Sequence, residues 1–220
     1  DDNGATSSTT QKIKVTAKEK TEQEEIKIDE KHALVVGITE YQYEGLNNLS
    51  FPAEDAIAFH DLLIEEGGFK EENVTLLLDE DATTYRFDTE LRKLATATES
   101  DDLAVIYYSG HGVQGKDAKP LDEKDGYDEY YVTYNTDPTD SDTIYETGYR
   151  DDEFANRVRN ITSDQIAIFL DSCYAGGATK TVKGYTLEGQ KDFPANNDVF
   201  SDFDDLEGTA LFAASQEDQR

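Results

Sequence analysis

The sequence predicts an α/β protein in three layers, with a mostly parallel central sheet and helices on both of its faces. Short continuous apolar runs recur along the chain, as expected of strands buried on both sides. Segments with apolar residues at helical spacing lie between them. Strand and helix alternate, an order that favours parallel pairing through crossover connections.

Ala33-Leu34-Val35-Val36-Gly37-Ile38 is the first such strand. Pro52 suits a first helical turn, and Ala56, Phe59 and Leu63 follow at helical spacing until Gly67-Gly68 ends the helix. Val74 to Leu78 reads as the second strand. Phe87, Leu91, Leu94 and Ala95 mark a second helix behind the capping candidates Thr83 and Thr84. Leu103 to Tyr108 is a third strand, Asp151 to Val158 a third helix, Ile166 to Leu170 a fourth strand and Ala210 to Ala214 a fifth. Two long acidic connections, Gly112 to Arg150 and Gly176 to Gly208, follow the C-terminal ends of the third and fourth strands. Open parallel sheets place their sites at such ends. Within the first connection, Tyr130 to Tyr134 has the character of half a hairpin.

The domain is expected to begin at Lys31 and to run to Arg220. Residues 1–30 form an extension rich in Ser, Thr, Lys and Glu. Ile13-Lys14-Val15 and Ile26-Lys27-Ile28 alternate as short edge strands would, and the composition equally suits a linker.

Of 220 residues, 20 are Lys or Arg and 49 are Asp or Glu, a formal charge of −29. Such a surface repels nucleic-acid phosphates and anionic membranes and attracts basic peptides, and it also serves solubility. No nucleic-acid partner is expected. Hydrophobic residues at 36% and aromatics at 10% suffice for a packed core. No apolar run approaches the roughly 18 residues of a membrane span. The single cysteine excludes an internal disulfide framework and raises the alternative of a reactive thiol. The chain begins at Asp1 and contains no Met, so the compartment is not legible; a soluble, cytoplasmic setting is the default expectation.

Two strand ends carry chemistry. The third strand leads into Ser109-Gly110-His111-Gly112 and the fourth into Asp171-Ser172-Cys173-Tyr174-Ala175-Gly176. If these strands are neighbours, the fold brings His111 and the only thiol to one edge of the sheet. An imidazole beside a thiol raises its thiolate fraction or shuttles its proton. Glycines alongside let a substrate backbone approach. Alone, His111 reads as a packed or surface histidine and Cys173 as a small buried hydrophobe; together, at strand ends flanked by glycine, they read as a catalytic pair. His32, before the first strand, and His60, inside the first helix, lack this context. One Cys and three scattered His do not make a zinc set.

Ser-Gly-His-Gly at 109–112 and Asp-Ser-Cys-Tyr-Ala-Gly at 171–176 resemble the two catalytic motifs of caspase-like cysteine peptidases. The resemblance runs from about Lys31 to Arg220 and includes Leu49 to Ala56, Asp101-Asp102, Asp125 to Glu129 and Ala213 to Gln216. Animal caspases carry Gln-Ala-Cys at the nucleophile, with the histidine about 50 residues upstream. Asp171-Ser172-Cys173, more widely spaced from its histidine, instead resembles the metacaspase branch with its prokaryotic relatives.

The resemblance implies a caspase-like sandwich and peptide hydrolysis by a Cys173–His111 dyad, with the backbone N–H groups of Gly112 and Cys173 holding the oxyanion. It implies an acidic pocket of Asp55, Ser109 and Asp171, hence cleavage after Arg or Lys and not after Asp. It also implies a smaller C-terminal part beyond residue 220 that pairs with the fifth strand, and autoproteolytic maturation with Arg220 as the cleavage position. No cofactor is expected. Calcium is the one candidate, since Asp151-Asp152 and Asp125 to Glu129 match parts of a family pattern, while Lys180 stands where a further acid belongs. The alternative is a catalytically silent scaffold that binds through its acidic face.

Overall fold

The computed structural model describes residues 27–116, 127–174 and 208–214. Among the described residues seven strands form one sheet: β1 (Lys31–Gly37), β2 (Val74–Leu78), β3 (Leu103–Lys116), β4 (Tyr127–Tyr131), β5 (Tyr149–Arg150), β6 (Gln165–Tyr174) and β7 (Thr209–Ala214). Four α-helices accompany them among the same residues: α1 (Pro52–Glu65), α2 (Thr84–Ala97), α3 (Ser141–Thr147) and α4 (Asp151–Val158).

The order is β2-β1-β3-β6-β7, all parallel. β4 pairs antiparallel with the far end of β3 and carries β5 on its other side. Alternation along the strands divides the core in two. Ala33 and Val35 of β1, Val105 and Tyr107 of β3, and Ala167 and Phe169 of β6 meet α1 through Ala56, Phe59 and Leu63. Leu34 and Val36, Ala104, Ile106 and Tyr108, and Ile166, Ile168 and Leu170 meet α2 and α4 through Phe87, Leu91, Leu94, Phe154 and Val158. Fully burying a side chain of this kind contributes about 1.5–3 kcal/mol before the entropy of ordering it. The three-layer reading is thus what the packing shows.

α1 and α2 each start where a side-chain oxygen supplies a cap. Pro52 occupies the first position of α1, and its N-cap, Phe51, offers no side-chain acceptor. The cap comes from outside the helix, because Thr39 Oγ1 accepts the Ala53 amide at 3.0 Å. Thr83 caps α2 by accepting from Arg86 N. Thr84, the other capping candidate, donates to the carbonyl of Thr147 and meets Thr133 Oγ1 at 2.6 Å, tying α2 to the end of α3. Asp88 of α2 accepts from Arg157 of α4 at 2.6 Å and from the Tyr149 hydroxyl at 3.1 Å.

Several sequence expectations need correction. β3 does not stop at Tyr108 but runs on to Lys116, and β6 runs to Tyr174, because each end finds partners across the sheet. The connection after β3 is no bare loop: it contains β4, α3 and β5. The Tyr130–Tyr134 run is strand only to Tyr131. α3 is held by a capping box in which Asp140 accepts the Thr143 amide at 2.9 Å. Lys27 and Ile28 lie outside any strand. The Ile13–Val15 expectation, Ile26, Asp125, Gly176 to Glu207, Lys180 and Arg220 fall outside the described residues. No helix among the described residues is long and apolar enough to cross a membrane.

Gly37, the last residue of β1, lies under the first turn of α1. A Cβ there would stand 2.4 Å from the Pro52 carbonyl oxygen and 2.5 Å from Ala56 Cβ. Gly37→Ala is expected to push α1 off the sheet and destabilise the fold by about 1–3 kcal/mol, read as a lower urea midpoint at unchanged slope.

Candidate active site

The site grows from one run of register. β3 and β6 lie side by side and parallel, with Ser109 opposite Asp171, Gly110 opposite Ser172, His111 opposite Cys173 and Gly112 opposite Tyr174. The condition set by the sequence, that these two strands be neighbours, is met. Because side chains alternate along a strand, Ser109, His111 and Asp171 share one parity, that of the α1 face.

His111 is gripped at both ends of its backbone. Its N–H donates to the Tyr41 hydroxyl at 2.9 Å, and that hydroxyl donates onward to the Ile38 carbonyl at 3.1 Å. Its carbonyl accepts from the Tyr108 hydroxyl at 2.7 Å and from Val132 N at 3.0 Å. Gly110 makes room for both phenols: a Cβ there would lie 2.9 Å from the Tyr108 hydroxyl and 3.2 Å from that of Tyr41. The imidazole stacks on the Tyr41 ring at 5.0 Å between centroids.

The ring's protonation follows from its partners. Nε2 lies 2.8 Å from the Asn47 carbonyl oxygen. A carbonyl only accepts, so Nε2 carries the hydrogen and the neutral ring keeps its lone pair on Nδ1. Nδ1 is buried and has no hydrogen-bond partner among the described residues. Burial pushes the imidazole's pKa below its ordinary 6.5, and the Asn47 hydrogen bond opposes this more weakly. At neutral pH the ring is therefore uncharged, with an open basic nitrogen on the strand beside Cys173.

A second group of residues gathers at the same edge. Asp171 is half-buried, and its carboxyl is held above the usual range, first by burial and second by the negative charge of Asp55. Asp55 is exposed in the first turn of α1. Ser109 is buried, and its carbonyl accepts from Ile38 N at 3.0 Å. Tyr107, below Ser109 on the same face, stacks on Phe59 at 4.7 Å, and its hydroxyl is pushed up by burial and by the charges of Asp171 and Asp55. The three residues expected of an acidic pocket thus lie at one place. Two carboxylates that feel each other, one partly desolvated, favour a guanidinium or ammonium between them.

His60 Nδ1 pairs with exposed Asp61 at 3.0 Å, and His32 lies 3.7 Å from Asp102 at the opposite end of the sheet; neither approaches His111. Asp151 is buried, and its Oδ1 accepts the Asp152 amide at 2.9 Å. Among the described residues no group of three or more His, Cys, Asp or Glu side chains is arranged to hold a metal ion. Sequence reasoning missed Tyr41, Tyr108 and Asn47. Tyr41 follows the first strand closely, which is the only hint of its role, and Asn47 acts through its backbone, which leaves no trace in residue type.

Residues 30–219 match the model of the caspase domain family, and the chain belongs to that family. Among curated relatives it is similar to Metacaspase-7 of Arabidopsis thaliana, 29% identical over 181 residues that make up 79% of this chain and 42% of the relative. Metacaspase-6 of the same plant is 31% identical, over 73% of this chain and 42% of the relative. Metacaspase-1 of Schizosaccharomyces pombe is 28% identical over 71% of this chain and 36% of its own length. The chain thus spans about two fifths of the plant relatives it matches. A crystal structure of a Geobacter sulfurreducens protein superposes with a TM-score of 0.54 at 25% identity, covering 67% of this chain and 52% of that one.

The buried neutral imidazole has a measurable consequence. Its folded pKa lies below the unfolded value, so the stability it contributes is complete above about 6.5 and is lost as pH falls through the folded value. Unfolding free energy measured between pH 7 and 5 is expected to decline, and His111→Gln is expected to remove part of that decline.

Proposed function

We propose that this chain is the catalytic part of a cysteine endopeptidase that cleaves proteins after Arg or Lys. The observation that carries the reading is the pairing of His111 with Cys173 across β3 and β6, with the open Nδ1 on the histidine. Membership of the caspase domain family and similarity to metacaspases support it.

In this mechanism Nδ1 of His111 takes the thiol proton as Cys173 Sγ attacks the scissile carbonyl carbon. The N–H groups of Gly112 and Cys173 hold the resulting oxyanion. Among the described residues a Cβ at residue 112 would make only ordinary contacts, the nearest at 3.8 Å, and a glycine there leaves room for a substrate backbone. The C–N bond then breaks, and the imidazolium gives its proton to the departing amine. Water, deprotonated by His111, attacks the thioester; the acid leaves and the thiol is restored. The Asn47 carbonyl keeps the Nε2 hydrogen in place through each transfer and stabilises the charged ring.

Asp55 of α1 and Asp171 of β6, with Ser109 opposite Asp171 on β3, receive the basic side chain. Its positive charge offsets both the burial and the repulsion from Asp55 that raise Asp171. The acidic balance of the whole chain would steer such substrates toward it. A pocket of this kind would also accept Arg220 during maturation. β7 pairs only with β6 among the described residues, which leaves its other edge for the smaller C-terminal part.

The test compares full-length protein with Cys173→Ala on matched fluorogenic peptides differing only in Arg, Lys or Asp before the scissile bond. Turnover of the Arg and Lys peptides alone, abolished by the substitution, is the expected result. Cleavage after Asp would overturn the specificity, and unreactive Cys173 would favour a silent scaffold. Asp55→Asn and Asp171→Asn are each expected to raise KM for Arg peptides by about tenfold, with kcat much less affected. Because the Asp171 pKa is raised, KM for those peptides is expected to climb as pH falls while an ordinary aspartate, near 3.9, would still be ionised.

A further inference from the structure

Asp79 closes β2 with a φ of 42° and is the one non-glycine residue with positive φ among the described residues. Aspartate visits this left-handed region more readily than most residues, but the conformation still has to be held by its surroundings. What holds it is visible. Its Oδ1 accepts two consecutive amides, Thr39 N at 2.7 Å and Glu40 N at 2.9 Å, where the chain leaves β1.

Those two amides start the segment that builds the site. Thr39 is its branch point: its carbonyl accepts Leu49 N at 2.9 Å, closing the base of the loop, and its hydroxyl caps α1 at Ala53. Within the loop, Tyr41 receives the His111 amide and stacks on its ring, and the Asn47 carbonyl takes Nε2–H. Just beyond it, the capped turn of α1 presents Asp55. The His111 restraints and the Asp55 arm therefore share one anchor, and that anchor hangs on a carboxylate from the neighbouring strand. We propose that Asp79 is a positioning residue of the active site, its carboxylate fixing the turn at Thr39 and Glu40 and thereby setting both the orientation of the His111 imidazole and the place of Asp55. This rests on the peptidase reading above and goes beyond it, since Asp79 touches none of the residues assigned to the dyad, the oxyanion or the pocket.

Three substitutions separate positioning from plain stability. Asp79→Asn keeps an oxygen acceptor and tolerates positive φ; Asp79→Gly removes the acceptor but relaxes the backbone; Asp79→Ala removes the acceptor and keeps the strain. In the full-length protein, kcat and KM on an Arg peptide are measured beside thermal midpoints and the NMR titration of the His111 ring, assigned through His111→Gln. A misplacement of about 1 Å can cost about a hundredfold in rate. The Gly and Ala variants are therefore expected to lose tenfold or more in kcat and to show a raised KM, with the His111 titration moving up toward about 6.5 as the ring loosens. Asp79→Asn is expected to stay within about threefold of wild type with an unmoved titration. The inference is overturned if Asp79→Gly matches wild type in both kinetics and titration, or if Asp79→Asn falls as far as Ala. Should wild type cleave no peptide while the Gly and Ala titrations move and the Asn one does not, the positioning role stands and the peptidase reading falls.

Discussion

The parallel ladder between β3 and β6 is the constraint from which the rest follows. It fixes His111 against Cys173 and Ser109 against Asp171 at once, so the proposed dyad and the strand-borne part of the proposed pocket follow from a single register. A slip of one residue would turn every side chain of one strand to the opposite face and separate both pairs together. Such a slip is opposed along the whole strand. Ile168 and Leu170 sit in one core layer and Phe169 in the other, so a one-residue slip would exchange their layers. At its far end β3 is paired on both sides, Gly112 facing Tyr131 of β4 as well as Tyr174 of β6, which keeps a glycine-rich strand end in place next to the histidine.

Two electrostatic situations coexist within a few residues of each other. At His111, desolvation outweighs the opposing hydrogen bond from Asn47, and the result is a neutral base whose tautomer is set by that backbone carbonyl. At Asp171, desolvation adds to repulsion from Asp55, and the result is a carboxylate short of positive charge. The first arrangement suits proton transfer and the second suits capture of a cation, and neither needs the other to be altered. The ion pairs on the opposite helical layer, such as Asp88 with Arg157, are complete within the chain and hold α2 to α4.

Much of this was legible beforehand. The apolar runs of β1, β2, β3 and β6, the helical spacing of α1, α2 and α4, His111 between two glycines and Cys173 ahead of a glycine pair could all be read because each rests on side-chain type and period. The strand character of residues 109–116 could not, since glycine weakens a strand locally and only pairing on both sides restores it. α3 has one buried apolar residue, Ile144, too few for a period to show. The restraint on His111 was hidden for another reason. Asn47 contributes a carbonyl that every residue possesses, and Asp79 contributes a turn whose shape appears only when β2 lies next to β1.

The aromatic packing has a bearing on how the molecule can be observed. The chain has 13 Tyr and no Trp, and several of those phenols, including Tyr108, Tyr130 and Tyr149, are buried. Burial holds their ionisation well above the ordinary range, so the stability they contribute is complete below about pH 10 and drains away above it. Alkali thus favours opening of the protein, which lets them ionise. Phenolate absorbance then becomes an intrinsic optical gauge of that opening, with Tyr108, which grips the His111 carbonyl, among the chromophores.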